Sequence, residues 1–345
     1  MSKQQTVLEA FRERGISRRT FLKFCAVTAS SLALSARDAA VFAQALGSAP
    51  RPAVIWLSFQ QCTGCSESLL RTFNPTIETL LLDVISLDYQ ETLQVAAGKQ
   101  AEDARRASMA ANAGKYVLVV DGSIPTGDME WWSAVAGDSN LASLREAVKN
   151  AGLVVAIGTC ATFGGIPAAF PNPSSAAGVG DLIDRGLITP DAGKTLPPLI
   201  NVSGCPPVPE VITGTIAYYI ANRAAPPLDA LRRPMVFYGK TVHDCCSRLE
   251  HFNAGRFAQS FGDEGAKQGY CLYLLGCKGP ETYNACTTIK WNAATSFPMH
   301  TGHGCIGCSE PKFWDRGLDQ ATGEFTTSFY AADAGVKPGD GTACS

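Results

Sequence analysis

The amino-acid sequence predicts a doubly wound α/β domain, a parallel sheet with helices on both faces, followed by a second domain with few regular elements. Three observations predict it. Residues 53–59, 80–87, 116–120, 153–157 and 199–202 are short runs that are largely apolar on both faces, as strands buried on both sides must be. Between and after these runs, residues 101–113, 141–151 and 208–222 place apolar side chains at helical spacing. From about residue 224, opening with Pro226-Pro227 and Arg232-Arg233-Pro234, periodicity fades while glycine, cysteine and aromatic residues accumulate.

Composition bounds the function. The chain has 345 residues, 46% hydrophobic and 17% charged, with a net charge of −2. That is enough for two domains and a sizeable core, and too apolar and too nearly neutral for a disordered chain. A sequence pI near 6.1 supplies no basic field for nucleic acid. No apolar run approaches the ~20 residues of a bilayer span. The informative count is 13 cysteines, unevenly placed.

The first residues read as an address. Ser17-Arg18-Arg19-Thr20-Phe21-Leu22-Lys23 precedes a mildly apolar stretch over 24–36 and then Ala43-Gln44-Ala45. Paired arginines, a modest apolar region and an A-x-A site match a twin-arginine export leader over 1–45, with a cut near Ala49 as a variant. The plain alternative is an amphipathic surface helix. Loss of 1–45 would remove seven basic and three acidic side chains and take the net charge to −6. Because this route carries proteins already folded, often with cofactors inserted, it tilts the cysteines toward metal ligation rather than disulfides.

In an open parallel sheet, ligands bind beyond the carboxyl ends of the strands. Cys62 and Cys65 follow the first run, in Gln61-Cys62-Thr63-Gly64-Cys65-Ser66-Glu67. Cys160 follows the fourth, in Gly158-Thr159-Cys160, and Cys205 follows the fifth, in Gly204-Cys205-Pro206-Pro207. Three loops at one edge thus deliver four thiols, the number a cubane iron-sulfur cluster takes. The glycines suit loops that must approach it closely. Zinc accepts the same four thiolates, and Cys62–Cys65 and Cys160–Cys205 disulfides are the structural reading. No glycine-rich phosphate fingerprint follows the first run. Glu67 reads as a solvated or hydrogen-bonding carboxylate.

Seven cysteines crowd residues 245–308, a density found in disulfide scaffolds, although seven would leave one unpaired. His243 stands three residues before Cys246, and Cys271 and Cys277 follow. An imidazole in place of one thiolate removes a negative charge and tends to raise a cluster's potential. Cys286, Cys305 and Cys308 form a set of three, which suits a 3Fe-4S cluster. Cys25, Cys245 and Cys344 receive no role.

Taken together, these residues resemble the small, electron-transferring subunit of NiFe hydrogenases. The likeness runs from Arg18-Arg19 through Cys62-x-x-Cys65-Ser66-Glu67 to Phe237-Tyr238-Gly239-Lys240-Thr241-Val242-His243-Asp244. It continues through Gly269-Tyr270-Cys271-Leu272-Tyr273 and Gly276-Cys277-Lys278-Gly279-Pro280 to Cys305-Ile306-Gly307-Cys308-Ser309-Glu310-Pro311-Lys312-Phe313-Trp314. The resemblance implies a flavodoxin-like domain over 50–223, an iron-sulfur cluster-binding domain over 224–335 and a polar tail over 336–345. It implies a proximal 4Fe-4S cluster on Cys62, Cys65, Cys160 and Cys205. It further implies a distal 4Fe-4S cluster on His243, Cys246, Cys271 and Cys277, and a medial 3Fe-4S cluster on Cys286, Cys305 and Cys308. The family's His-x-x-Cys spacing selects Cys246 over its neighbour Cys245.

The implied activity is reversible oxidation of H2, with the nickel-iron centre on a separate large subunit and this chain relaying electrons to an acceptor. That acceptor would be a c-type cytochrome or a membrane quinone-linked subunit. Oxygen-tolerant relatives carry two extra cysteines around the proximal cluster, where this chain has Gly64 and Gly165, so an ordinary cubane and oxygen-sensitive catalysis are expected. Membrane-anchored relatives end in a hydrophobic helix, whereas this sequence ends on a polar tail, which predicts a periplasmic heterodimer without its own span. A stand-alone exported iron-sulfur carrier is the competing reading, and a hydrogen sensor a weaker one.

Overall fold

The computed structural model describes residues 5–328 and 330–332; Cys344 and the tail over 336–345 lie outside them. Strands β1 (Ala53–Ser58), β2 (Ser86–Gln90), β3 (Val117–Asp121), β4 (Leu153–Ile157) and β5 (Leu199–Val202) form one parallel sheet in the order β2-β1-β3-β4-β5. The chain steps outward from β1 to β2 and then builds the other side of the sheet, which is the doubly wound arrangement. Alternation along each strand feeds two cores. Trp56, Val119, Val155 and Val202 point to one layer, and Ile55, Leu118, Val154 and Leu199 to the other.

The helices that matter are α1 (Val7–Glu13), α2 (Arg18–Ser31), α3 (Ala36–Ser48), α4 (Gly64–Leu70), α5 (Gly98–Ala111), α6 (Asn140–Val148), α7 (Gly158–Phe163), α8 (Val179–Asp184) and α9 (Pro209–Asn222). Helices α5, α6 and α8 close one face of the sheet through Ala101, Met109, Leu144, Ala147 and Leu182. Helix α9 closes the other through Val211, Ile212, Ile216 and Ile220. Its sequence is apolar all round, which a helix tolerates only when it is covered on every side.

One of the five expected strands is displaced. The run 80–87 forms a single wide turn at Leu80–Val84, and β2 begins only at Ser86. Thr76 caps the turn before it, its hydroxyl accepting from the Thr79 N–H at 3.4 Å and its carbonyl from the Leu80 N–H at 2.9 Å. The Arg51 guanidinium then donates to the carbonyls of Leu81 and Ile85, at 3.3 and 2.6 Å. These bonds satisfy backbone groups that a strand would have paired with a neighbour.

The segment read from sequence as a leader over 1–45 lies in three helices, which span residues 7–48 and pack on the domain. Thr6 and Glu9 close a capping box at α1, and Ser17 and Ser35 cap α2 and α3. Phe11, Phe21, Phe24 and Leu46 are buried in the same core as α9.

After α9 the described residues hold only short helical turns, such as Met235–Tyr238, Leu249–Asn253 and Glu264–Lys267, and a two-residue strand pair, Leu318–Asp319 with Glu324–Phe325. The irregular second domain is as expected. No helix among the described residues is long and apolar enough to cross a membrane.

Candidate functional site

Parallel pairing aligns the carboxyl ends of the strands. Ser58 lies opposite Asp121, Asp121 opposite Ile157, and Ile157 opposite Val202. The loops leaving β1, β4 and β5 therefore start at one edge, and they carry Cys62, Cys65, Cys160 and Cys205. Cys65 sits in the first turn of α4 and Cys160 in α7. Gly158 has φ +83°, and a Cβ there would overlap the Cys65 Sγ. Gly165 has φ +61°, and a Cβ there would lie 2.5 Å from the Cys160 Sγ. The glycines thus leave room for sulfur and permit a left-handed backbone.

Electrostatically the four sulfurs share one neighbourhood. Burial, Asp121 and the charges of Cys160 and Cys205 push the Cys65 thiol well up. Burial and the charges of Cys205 and Cys62 push Cys160 up to about 12. All four cysteines are free.

In the second domain, His243, Cys246, Cys271 and Cys277 line one cavity, with Arg248 in its wall. The His243 ring stands edge-on to Phe252 with centroids 4.5 Å apart. Burial pushes its pKa down, favouring neutral imidazole, and its Nε2 is buried with no hydrogen-bond partner. An orphan imidazole nitrogen beside three free thiols offers soft nitrogen and sulfur donors of the kind that bind metal. Cys286, Cys305 and Cys308 lie in the wall of a groove of about 790 Å³ that reaches Glu67 and Arg71 of α4. Glu67 is exposed and ion-paired to Arg71 at 2.9 Å, as its plain reading expected.

The three groups abut in series. Cys205 lies beside Cys308 closely enough for its charge to act on the Cys308 thiol, which sets the sheet-edge group against the set of three. The Cys305 N–H donates to the Cys277 Sγ at 3.2 Å, joining the set of three to the histidine set. Thr159 ties the first junction, since its Oγ1 accepts from Gly204 N–H at 3.0 Å and donates to the Cys308 carbonyl.

Burial pushes Cys271, Cys286, Cys305 and Cys308 up to about 12, so as lone side chains they would be protonated at neutral pH. A strongly positive bound group would convert them to thiolates and recover the cost of burying them. Disulfide pairing within the three groups is not what the structure has, because every member is free. Zinc fits poorly: among the described residues no three His, Cys, Asp or Glu side chains converge as a single ion requires. A cluster, with irons at separate corners, takes thiolates spread around it.

Cys245 is disulfide-bonded while Cys246 is free, which removes Cys245 from competition as a ligand. Cys25 is buried within α2. Three neighbours of the cysteines escaped the sequence reading. Asp121 ends β3 beside Cys65, 1% exposed, and accepts from the Ser66 hydroxyl at 3.3 Å; burial pushes its carboxyl up to about 6. An acid closing an otherwise apolar strand, Val117–Asp121, was the available signal. Thr159 and Arg248 adjoin ligand positions but carry no pattern of their own. Arg248 is fixed by the Met299 and Tyr270 carbonyls, at 2.7 and 2.6 Å, and its N–H donates to the Cys246 Sγ at 3.4 Å.

Residues 238–318 match the family described as NiFe/NiFeSe hydrogenase small subunit, C-terminal, and residues 62–219 match NADH ubiquinone oxidoreductase, 20 Kd subunit. The chain is 47% identical over 307 residues to the periplasmic [NiFe] hydrogenase small subunit 1 of Nitratidesulfovibrio vulgaris, covering 89% of this chain and 93% of that protein. It is 44% identical over 317 residues to the uptake hydrogenase small subunit of Azotobacter vinelandii, covering 92% and 86%. A solved [NiFeSe]-hydrogenase chain from Desulfomicrobium baculatum superposes with a TM-score of 0.71 at 32% identity, covering 83% of this chain and all of that one.

Proposed function

The chain belongs to the small-subunit family of NiFe hydrogenases, and from that premise we propose how its residues carry electrons. As a member it is the electron-transfer subunit of an H2-oxidising heterodimer, the family implies bound iron-sulfur clusters, and the partner is the hydrogenase large subunit. In our reading, Cys62, Cys65, Cys160 and Cys205 hold a proximal 4Fe-4S cluster. His243, Cys246, Cys271 and Cys277 hold a distal one, and Cys286, Cys305 and Cys308 a medial 3Fe-4S cluster. We place the domain boundaries at 50–223 and 224–335.

The observation that carries this reading is the contact in series. Thr159, next to Cys160, joins the Gly204 N–H to the Cys308 carbonyl, and Cys305 N–H meets the Cys277 sulfur, so each set is hydrogen-bonded to the next. Bound clusters would supply one-electron redox steps. The chain's own work is to fix their spacing, exclude water and offer N–H dipoles to sulfur. Arg248, held by two carbonyls, places a cation beside Cys246 and favours an extra electron there.

The names of the relatives, the arginine pair and the Ala43-Gln44-Ala45 site support export to the periplasm by the twin-arginine route. A c-type cytochrome or quinone-linked subunit is the expected acceptor. Gly64 and Gly165 support an ordinary proximal cubane and oxygen-sensitive turnover, and full H2 oxidation in air would refute that part.

Metal and acid-labile sulfide analysis of the anaerobically purified complex tests the assignment. The expectation is about 11 irons and about 12 sulfides in this chain, with nickel in a larger copurifying chain. Iron without nickel or a partner would favour the stand-alone carrier, and zinc in place of iron would overturn the ligand assignment.

A further inference from the structure

The outer face of α9 and the turn Leu80–Val84 has an occupant in this structure, and it is the chain's own N-terminal segment. Helices α2 and α3 pack on α9, and α1 packs on the turn. Phe11, Phe21 and Phe24 form one aromatic cluster, with Phe11 and Phe21 edge-to-face at 5.1 Å. Helices α2 and α3 meet at Gly47, where a Cβ would lie 3.1 Å from the Phe21 ring.

Polar contacts fix the segment as well. Arg14 pairs with Asp83 at 2.7 Å, and Asp83 is completely buried. The segment's two ends lie side by side at the start of β1. Val7 N–H donates to the Ala49 carbonyl at 2.9 Å, and Arg51 N–H donates to the Gln5 carbonyl at 3.1 Å. Two features differ in accessibility. Arg18 and Arg19 are exposed at the start of α2. Ala43-Gln44-Ala45 lies inside α3: Ala43 and Leu46 are buried, Ala45 is half-buried and Gln44 is exposed, so it is the helical backbone that withholds the bond.

We propose that residues 5–49 dock as a folded cap on α9 and the Leu80–Val84 turn, presenting Arg18-Arg19 while withholding the Ala43-Gln44-Ala45 site from proteolysis until the cap is pulled away. Hydrolysis there adds water across the Ala45–Leu46 amide, leaving a carboxylate on Ala45 and an amine on Leu46. A protease reads such a bond in extended backbone, and here the bond is helical, with the Ala45 carbonyl accepting from Ala49 N–H at 3.0 Å. Cleavage must therefore follow local opening of α3. The cap forms only on a folded α9, so the arginine pair is displayed in this arrangement by chains whose first domain is built. The inference rests on reading 1–45 as a cleaved leader.

The test uses the full-length chain, loaded with clusters and isolated anaerobically from cells in which export is blocked. Amide exchange over 36–48 is followed by mass spectrometry, and cleavage by a purified signal peptidase is timed. Phe11→Asp and Arg14→Glu each loosen the cap far from the scissile bond, and an unchanged iron content shows that the body remains folded. The expected result is protection of 36–48 by about a hundredfold or more in the unaltered chain, with cleavage at least about tenfold faster in both variants. Exchange of 36–48 at unstructured rates, or equal cleavage of all three proteins, would overturn the cap. The address is read separately: if Arg18→Lys with Arg19→Lys leaves export intact, the leader reading fails while the exchange result still decides whether the segment docks.

Discussion

Single positions set the limits of the site. At Gly158 the backbone is left-handed and the space a Cβ would need is taken by the Cys65 sulfur. Gly158→Ala therefore carries a conformational cost of about 1–2 kcal/mol and displaces one thiol of the proximal set. The expected outcome is loss of about four irons per chain with the other clusters retained, read by iron analysis and low-temperature EPR. Full iron content in that variant would show that the loop yields. Glu210 offers a second test, by pH. Burial pushes its carboxyl up despite a hydrogen bond from Phe73 N–H at 3.3 Å. The folded state then keeps a proton that the unfolded state releases, so the stability this group allows at low pH is lost as pH rises through its folded value. Glu210→Gln keeps an acceptor for Phe73 and lacks this loss. Its melting temperature should match the parent near about pH 4, below the ordinary glutamate value, and exceed it near about pH 7.5.

Elements were legible in the sequence where burial is two-sided. The runs that became β1, β4 and β5 are apolar on both faces and are buried between the two helical layers, so composition and environment agree. The run 80–87 has the same texture but lies next to the edge strand β2, where a turn and a strand compete for one apolar stretch. What decided it was Arg51 and Asp83, whose partners are distant in sequence. The same applies to the buried ionic link among β2, α5 and α6. Arg105, 1% exposed, pairs with Glu102 at 2.7 Å and with Glu146 at 2.8 Å, and Tyr89 donates to Glu102 at 2.5 Å. Helical spacing marks α5 but says nothing of this network. Arg105→Ala leaves Glu102 buried without its cation and should cost about 3–5 kcal/mol, visible in the thermal unfolding of the cluster-loaded chain. A loss below about 1 kcal/mol would mean that water takes the place of the guanidinium.

On the scale of the whole molecule, the sequence grouped the cysteines by loop and by resemblance but held no sign of how the groups touch. The junctions consist of backbone N–H groups on Gly204 and Cys305 and of the Thr159 hydroxyl, and main-chain donors leave no trace in composition. Thr159 tests whether this contact matters to conduction. Thr159→Val keeps the shape of the side chain but strands the Gly204 N–H and the Cys308 carbonyl, at a cost of about 1–3 kcal/mol. Because the loss falls between two sets and not within either, iron content should stay at the parent value. Dye reduction that must draw electrons through the distal end should slow by about tenfold, whereas H/D exchange, which needs no electron to leave the large subunit, should be unchanged. Equal slowing of both reactions would place the effect in the large subunit's docking rather than in the relay, and an unchanged dye rate would show that conduction between the proximal and medial sets does not need the Thr159 bridge.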